Sequence, residues 1–213
     1  MTLLVDADFG GPAGSRIAGR NAGVGAELPW VSEWGDPTPL MDGMGNVVQE
    51  EGPNREAILS LPPTMFTGPF SVALRLAAVS TGENSPNVIT IRMGGLDVFL
   101  MNQPGASGAI TVGAIYAGIA NLDDAVGKQI WYTFDPVESR ITAGVGEEIG
   151  REEDVIMSAY GSMYFSDTNL KLVTYAMDEG ATTVKLSNLK VDGIGSLNSP
   201  DFWTEFAGTR EVP

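Results

Sequence analysis

The chain contains no cysteine and no histidine. Without cysteine there is no disulfide, no thiolate metal site and no cysteine nucleophile. The redox compartment is left open by this, because a domain of 213 residues buries enough surface to fold without cross-links. Without histidine, the commonest general base near neutral pH and the commonest zinc ligand are missing. Basic residues are scarce: 12 Lys and Arg stand against 27 Asp and Glu, a net charge of −15. Such a surface repels phosphate backbones and anionic bilayers, so nucleic acid is not an expected partner. No stretch approaches the ~18 uninterrupted apolar residues of a membrane span, so no membrane insertion is expected. The opening Met1-Thr2-Leu3-Leu4-Val5-Asp6-Ala7-Asp8 has no basic segment and meets two carboxylates before an apolar run of signal-peptide length. The expectation is a chain made in the cytoplasm without a signal.

What the chain does have is turn chemistry and short apolar runs. Glycine (27) and proline (13) are spread along the whole length, and 43% of residues are hydrophobic, enough for a sizeable core. The clearest strand is Phe70–Leu76, where Phe70, Val72, Leu74 and Leu76 alternate with Ser71, Ala73 and Arg75. That period of two buries one face only. Val88–Met93 and Leu96–Met101 flank a Gly94-Gly95 hairpin signal. Ala109–Tyr116, Gln129–Phe134, Arg140–Gly144, Val155–Tyr160, Lys171–Met177 and Thr182–Val191 complete the later set. Residues 8–42 are Gly-rich and irregular, with one or two short strands expected around Trp30, Val31 and Trp34. Ala120–Gly127 reads as a loop or one helical turn. About twelve strands at spacings of about 8–15 residues, with no long helical period, predict an all-β, two-sheet antiparallel sandwich. It is expected over residues 1–197, with 198–213 as a tail or docking arm.

Chemistry-bearing clusters are few. Asp6-Ala7-Asp8, Asp123-Asp124 and Glu152-Glu153-Asp154 group carboxylates. Calcium is the ion such oxygens would take, with Asp6, Asp8, Asp123 and Asp124 as weak candidates, but none matches a calcium loop and solvated loops are the default. No cofactor is otherwise expected. Two-carboxylate sugar hydrolysis in jelly-roll glucanases uses E-x-D-x-x-E on one strand; here Glu152 and Asp154 fit, while Met157 stands in the third place. Gly144-Val145-Gly146 lacks the third spacing and the helix of a dinucleotide loop, so a turn is expected. No catalytic residue is assigned, and the chain is read as non-enzymatic. Trp30, Trp34 and Trp131 are either core or, if exposed, platforms for a sugar or a partner. On Ile130–Phe134, Trp131 should face away from Ile130, Tyr132 and Phe134. Phe202, Trp203 and Phe206 lie in the tail, where they either pack back or dock on a neighbour.

Three segments together resemble concanavalin A-like lectin and laminin G-like domains. They are Val5-Asp6-Ala7-Asp8-Phe9 with Trp30, Trp34, Asp42-Gly43 and Val47-Val48; Gly127 to Gly146 through Trp131; and Thr183 to Val191 with Asn188-Leu189-Lys190-Val191. Phe70 to Gly146 is also similar in cadence to the domain named for farnesoic acid O-methyltransferase. The resemblance implies a jelly roll whose two chain ends meet in one sheet. It also implies use as a glycan binder, an enzyme, or a phage-particle appendage; the legume-lectin metal ligands do not carry over. Two functions are therefore expected. The first is a structural or adhesion module of a phage virion, head or tail, assembling as a homo-oligomer through protein contacts. The alternative is a lectin-like carbohydrate-binding module, with or without calcium.

Overall fold

The computed structural model describes residues 2–32, 37–48, 52–61, 68–79, 87–93, 96–102, 109–112, 115–118, 122–160, 169–176 and 184–193. The N-terminal part contributes β1 (Thr2–Asp8), β2 (Val31–Ser32), β3 (Leu40–Met41), β4 (Val47–Val48) and β5 (Gly52–Ser60). The middle contributes β6 (Phe70–Val79), β7 (Asn87–Met93), β8 (Leu96–Asn102), β9 (Ala109–Val112) and β10 (Ile115–Gly118). The last part contributes β11 (Gln129–Asp135), β12 (Arg140–Gly146), β13 (Val155–Tyr160), β14 (Asn169–Ala176) and β15 (Val184–Gly193). Short 3-10 turns cover Leu122–Ala125 and Glu152–Asp154.

The strands form two antiparallel sheets. The first runs β13-β12-β11-β6-β15-β4-β3, with β1 also paired to β15; the second runs β10-β9-β8-β7-β14-β5-β2. Both ends of the described fold thus meet in the first sheet, as Asp6 opposite Lys190 and Asp8 opposite Asn188. Sequential neighbours such as β11 and β12 pair through short hairpins, while β6 pairs with β15 across more than a hundred residues. That combination of meander and long return is jelly-roll connectivity.

One expectation changes. Ala109–Tyr116 is not one strand but the hairpin β9–β10, Ile115 pairing with Val112. Residues 113–114 lie outside the described set. Trp34 and the tail 198–213, including Phe202, Trp203 and Phe206, also lie outside it.

Period-two alternation builds the core. From the first sheet, Phe70, Val72, Leu74 and Leu76, Ile130, Tyr132 and Phe134, and Leu189 and Val191 are all buried. They meet Leu170, Leu172, Ala57 and Leu59 of the second sheet in one cluster. Phe70 sits opposite Phe134 in register, ring centroids 5.6 Å apart, and edge-on to Tyr132 at 6.3 Å. Each such side chain contributes about 1.5–3 kcal/mol of burial.

The β3–β4 hairpin closes around Asp42. Its carboxylate accepts from the N–H of Met44 (2.8 Å) and of Asn46 (3.2 Å) and from Asn46 Nδ2 (2.8 Å). It also pairs with Lys185 of β15 at 2.9 Å. Burial alone would raise the Asp42 pKa, but hydrogen bonds from Asn46, Lys185 and the Met44 N–H outweigh it and hold the carboxyl well below the usual aspartate range. Gly43, at φ 81°, supplies the left-handed step that turn needs.

Candidate functional site

The outer face of the first sheet carries the chemistry. Cross-strand partners share a face, so the register assembles rows from distant sequence. One row runs Asp192, Ser71, Thr133, Thr142, Ser158 across β15, β6, β11, β12 and β13. The next runs Asp135, Arg140, Tyr160. A depression of about 390 Å³ opens here, lined by Thr133, Asp135, Glu138, Arg140, Thr142 and Glu152 among others. Tyr160 stands at the edge of the sheet with 77% of its surface exposed.

Local bonds hold these groups in place. Asp135 Oδ1 accepts from the N–H of Val137 (2.8 Å) and of Glu138 (3.3 Å), which shapes the β11–β12 turn. Ser139 closes that turn at φ 50°. Arg140 Nε donates to Ser158 Oγ at 3.0 Å, and its Nη1 lies 3.7 Å from Glu138. The result is a surface of hydroxyls, carboxylates and one guanidinium beside an aromatic face. Hydroxyls donate and accept, carboxylates accept and the guanidinium donates, so the set matches a polyhydroxylated ligand.

Trp131 lies on this outer face, opposite in sense to Ile130, Tyr132 and Phe134, as the alternation requires, yet it is only 1% exposed. The reason is local. Residues 147–154 bring Asp154 over β12, and the indole lies against Gly144 and the Asp154 carbonyl; a Cβ on Gly144 would overlap both. A Cβ on Gly146 would overlap the Asp154 carboxylate. The two glycines are therefore explained by close approach on a strand, not by a phosphate loop. Trp131 Nε1 and Asp154 Oδ2 are both buried without a hydrogen-bond partner.

The other sequence candidates separate. Trp30 is 2% exposed and packs on Phe9, ring centroids 6.5 Å apart, so it too offers no face to a ligand. Asp6 and Asp8 project outward from β1, and Asp6 accepts from Asn188 Nδ2 at 3.3 Å. Asp124 is exposed in the 3-10 turn, while the Asp123 side chain is outside the described set. Among the described residues, no group of three or more Asp or Glu is placed to hold a metal ion. Glu152 and Asp154 sit in a 3-10 turn, not on a strand, so the alternation a glucanase motif needs is absent there. Sequence reasoning missed Thr133, Asp135, Arg140, Thr142 and Tyr160. The signal available was their outward phase on β11, β12 and β13, but the register between those strands was not legible.

No family model matches the chain, and no curated protein matches its sequence. Solved structures do match in fold. The binding domain of botulinum neurotoxin serotype D/C VPI 5993 is 6% identical with a TM-score of 0.52, over 89% of this chain and 48% of that one. A structure described under endo-acting O-glycanases that human gut microbiota express to initiate mucin breakdown is 12% identical with a TM-score of 0.51, over 89% and 98%. A legume lectin-like domain from Entamoeba histolytica is 12% identical with a TM-score of 0.47, over 70% and 84%. The chain spans about half of the neurotoxin domain and 18% of a sialidase that it also matches, at 12% identity and a TM-score of 0.49. Two antiparallel sheets, both ends of the described fold in one of them and the neighbours with TM-scores above 0.5 establish the fold: a two-sheet antiparallel sandwich of jelly-roll type.

Proposed function

We propose that the chain is a lectin-like carbohydrate-binding module whose binding surface is the outer face of the first sheet. The observation that carries this is the depression lined by Thr133, Asp135, Arg140 and Thr142 with Tyr160 exposed beside it. The tyrosine ring stacks on the apolar face of a sugar, and the polar groups take its hydroxyls. The interaction with two ganglioside molecules named for botulinum neurotoxin type C belongs to that protein. It supports this reading only as an example of what the fold accommodates. The chain binds rather than catalyses, and calcium assists only if glycan binding depends on it.

A glycan array probed with and without calcium, followed by calorimetry on the best ligand, tests the proposal. Binding that falls at least tenfold in Tyr160→Ala or Arg140→Ala supports it, and a blank array with calcium present overturns it. Release of reducing sugar would replace binding with hydrolysis by the carboxylates of the same depression. A virion role would rest on Phe202, Trp203 and Phe206, outside the described residues; no feature of the described sheets favours it over glycan binding.

A further inference from the structure

A second hollow on the same face has a different character. It is smaller, about 110 Å³, and is lined by Ala73, Leu74, Arg75, Gln129, Asn188 and Lys190. The register explains the grouping: Arg75 of β6 stands between Gln129 of β11 and Asn188 of β15, and Lys190 is opposite Ala73. Two cations and two carboxamides thus converge on one hollow in a chain with only 12 basic residues against 27 acidic ones.

Their existing ionic partners, Glu147 for Arg75 and Asp6 opposite Lys190, hold them loosely. Arg75 Nε donates to the Gly127 carbonyl at 2.8 Å, which fixes the guanidinium, while its Nη2 meets Glu147 only at 3.9 Å across exposed atoms. An exposed pair of that length is weak and readily displaced. Gln129 Nε2 is held by the Glu147 carbonyl at 3.0 Å, and Asn188 Nδ2 by Asp6. Lys190 stands opposite Asp6 in register, though no described residue forms an ion pair or hydrogen bond with its ammonium. Ala73 adds no bulk between the cations. A guanidinium and an ammonium lining one hollow can both donate to a single oxyanion that displaces those loose partners.

We propose that this hollow binds the carboxylate or sulfate substituent of an acidic sugar, through Arg75 and Lys190. The carboxylates around it, Asp6, Asp8 and Glu147, together with the net charge of −15, repel polyanions and limit the site to one small charge. Gln129 and Thr133 are four residues apart on β11, about 13 Å at ~3.3 Å per residue, with Trp131 buried beside Asp154 between them, so the two hollows lie on either side of that segment. The inference rests on the glycan-binding reading and adds to it a preference for acidic ligands.

The test separates the two. Sodium sulfate titrated at constant ionic strength should move the side-chain amide resonances of Gln129 and Asn188 in 15N-labelled protein. Lys190→Ala should weaken that binding at least fivefold, with Lys190→Arg restoring most of it. On an array of matched neutral and sulfated or uronic-acid glycans, the wild type should prefer the acidic member, and Lys190→Ala should lose the preference while keeping the neutral ligand. No shift with sulfate, or an unchanged affinity in Lys190→Ala, overturns the anion site even if neutral glycans bind. Sulfate binding with no glycan bound overturns the carbohydrate reading and leaves a free-anion site.

Discussion

The two faces of the first sheet are built from the same strands and differ in almost everything else. Inward, Phe70, Val72, Leu74, Ile130, Tyr132, Phe134, Leu189 and Val191 are apolar and sealed. Outward, Arg75, Thr133, Asp135, Arg140, Thr142 and Lys190 are polar or charged and reach solvent. The inner face answers to volume, because close packing makes every missing methylene felt. The outer face answers to ligands, because its groups satisfy hydrogen bonds with solvent and can exchange them. Trp131 joins the two: like Ser71 and Ala73 it points outward yet is buried, in its case beside Asp154 and against Gly144.

Mutations sharpen that contrast. The largest effect is expected inside: Phe70→Ala should cost about 3–5 kcal/mol in urea unfolding, from lost burial and a cavity between Tyr132 and Phe134. Gly144→Val tests the burial of Trp131. It should cost about 1–3 kcal/mol by overpacking and red-shift the Trp131 emission as the indole is pushed towards water; an unchanged spectrum would break the proposed packing.

Asp42 carries the pH dependence. Its folded pKa is depressed, so its stabilising contribution is fully present above the unfolded value of about 3.9 and is lost as pH falls from there towards the folded value. Asp42→Asn should lower stability at pH 7 by about 1–3 kcal/mol and flatten the acid limb of a stability–pH curve. A mutant curve parallel to the wild type below pH ~4 would contradict this assignment. The smallest stability effect belongs outside: Tyr160→Ala should change unfolding by less than about 0.5 kcal/mol while removing glycan affinity. A large loss of stability would move Tyr160 to the inner class.

Much of the fold was legible because alternation is local. Phe70, Val72, Leu74 and Leu76 declare their face within seven residues, and Gly94-Gly95 declares the pairing of β7 with β8. The site was less legible. Trp30 and Trp131 drew attention as large aromatics, but burial of an indole depends on what passes over it, and residues 147–154 are not neighbours of Trp131 in sequence. Glu152 and Asp154 fit two places of a glucanase motif that Met157 breaks, and the backbone places them in a 3-10 turn ahead of β13. Thr133, Arg140 and Tyr160 attracted none, because single polar residues acquire meaning only when register sets them side by side.

By itself, the sequence determined the class of fold, the inward set of the central strands and the exclusion of cysteine and histidine chemistry, since composition and period are properties of the chain. Only the tertiary structure decided which polar residues share a surface. The pairing of β6 with β15 brings Lys190 beside Ala73, and the pairing of β12 with β13 brings Tyr160 beside Arg140. The physical reason is that hydrogen-bond register between distant strands depends on how both sheets close on their common core, and no local signal encodes it.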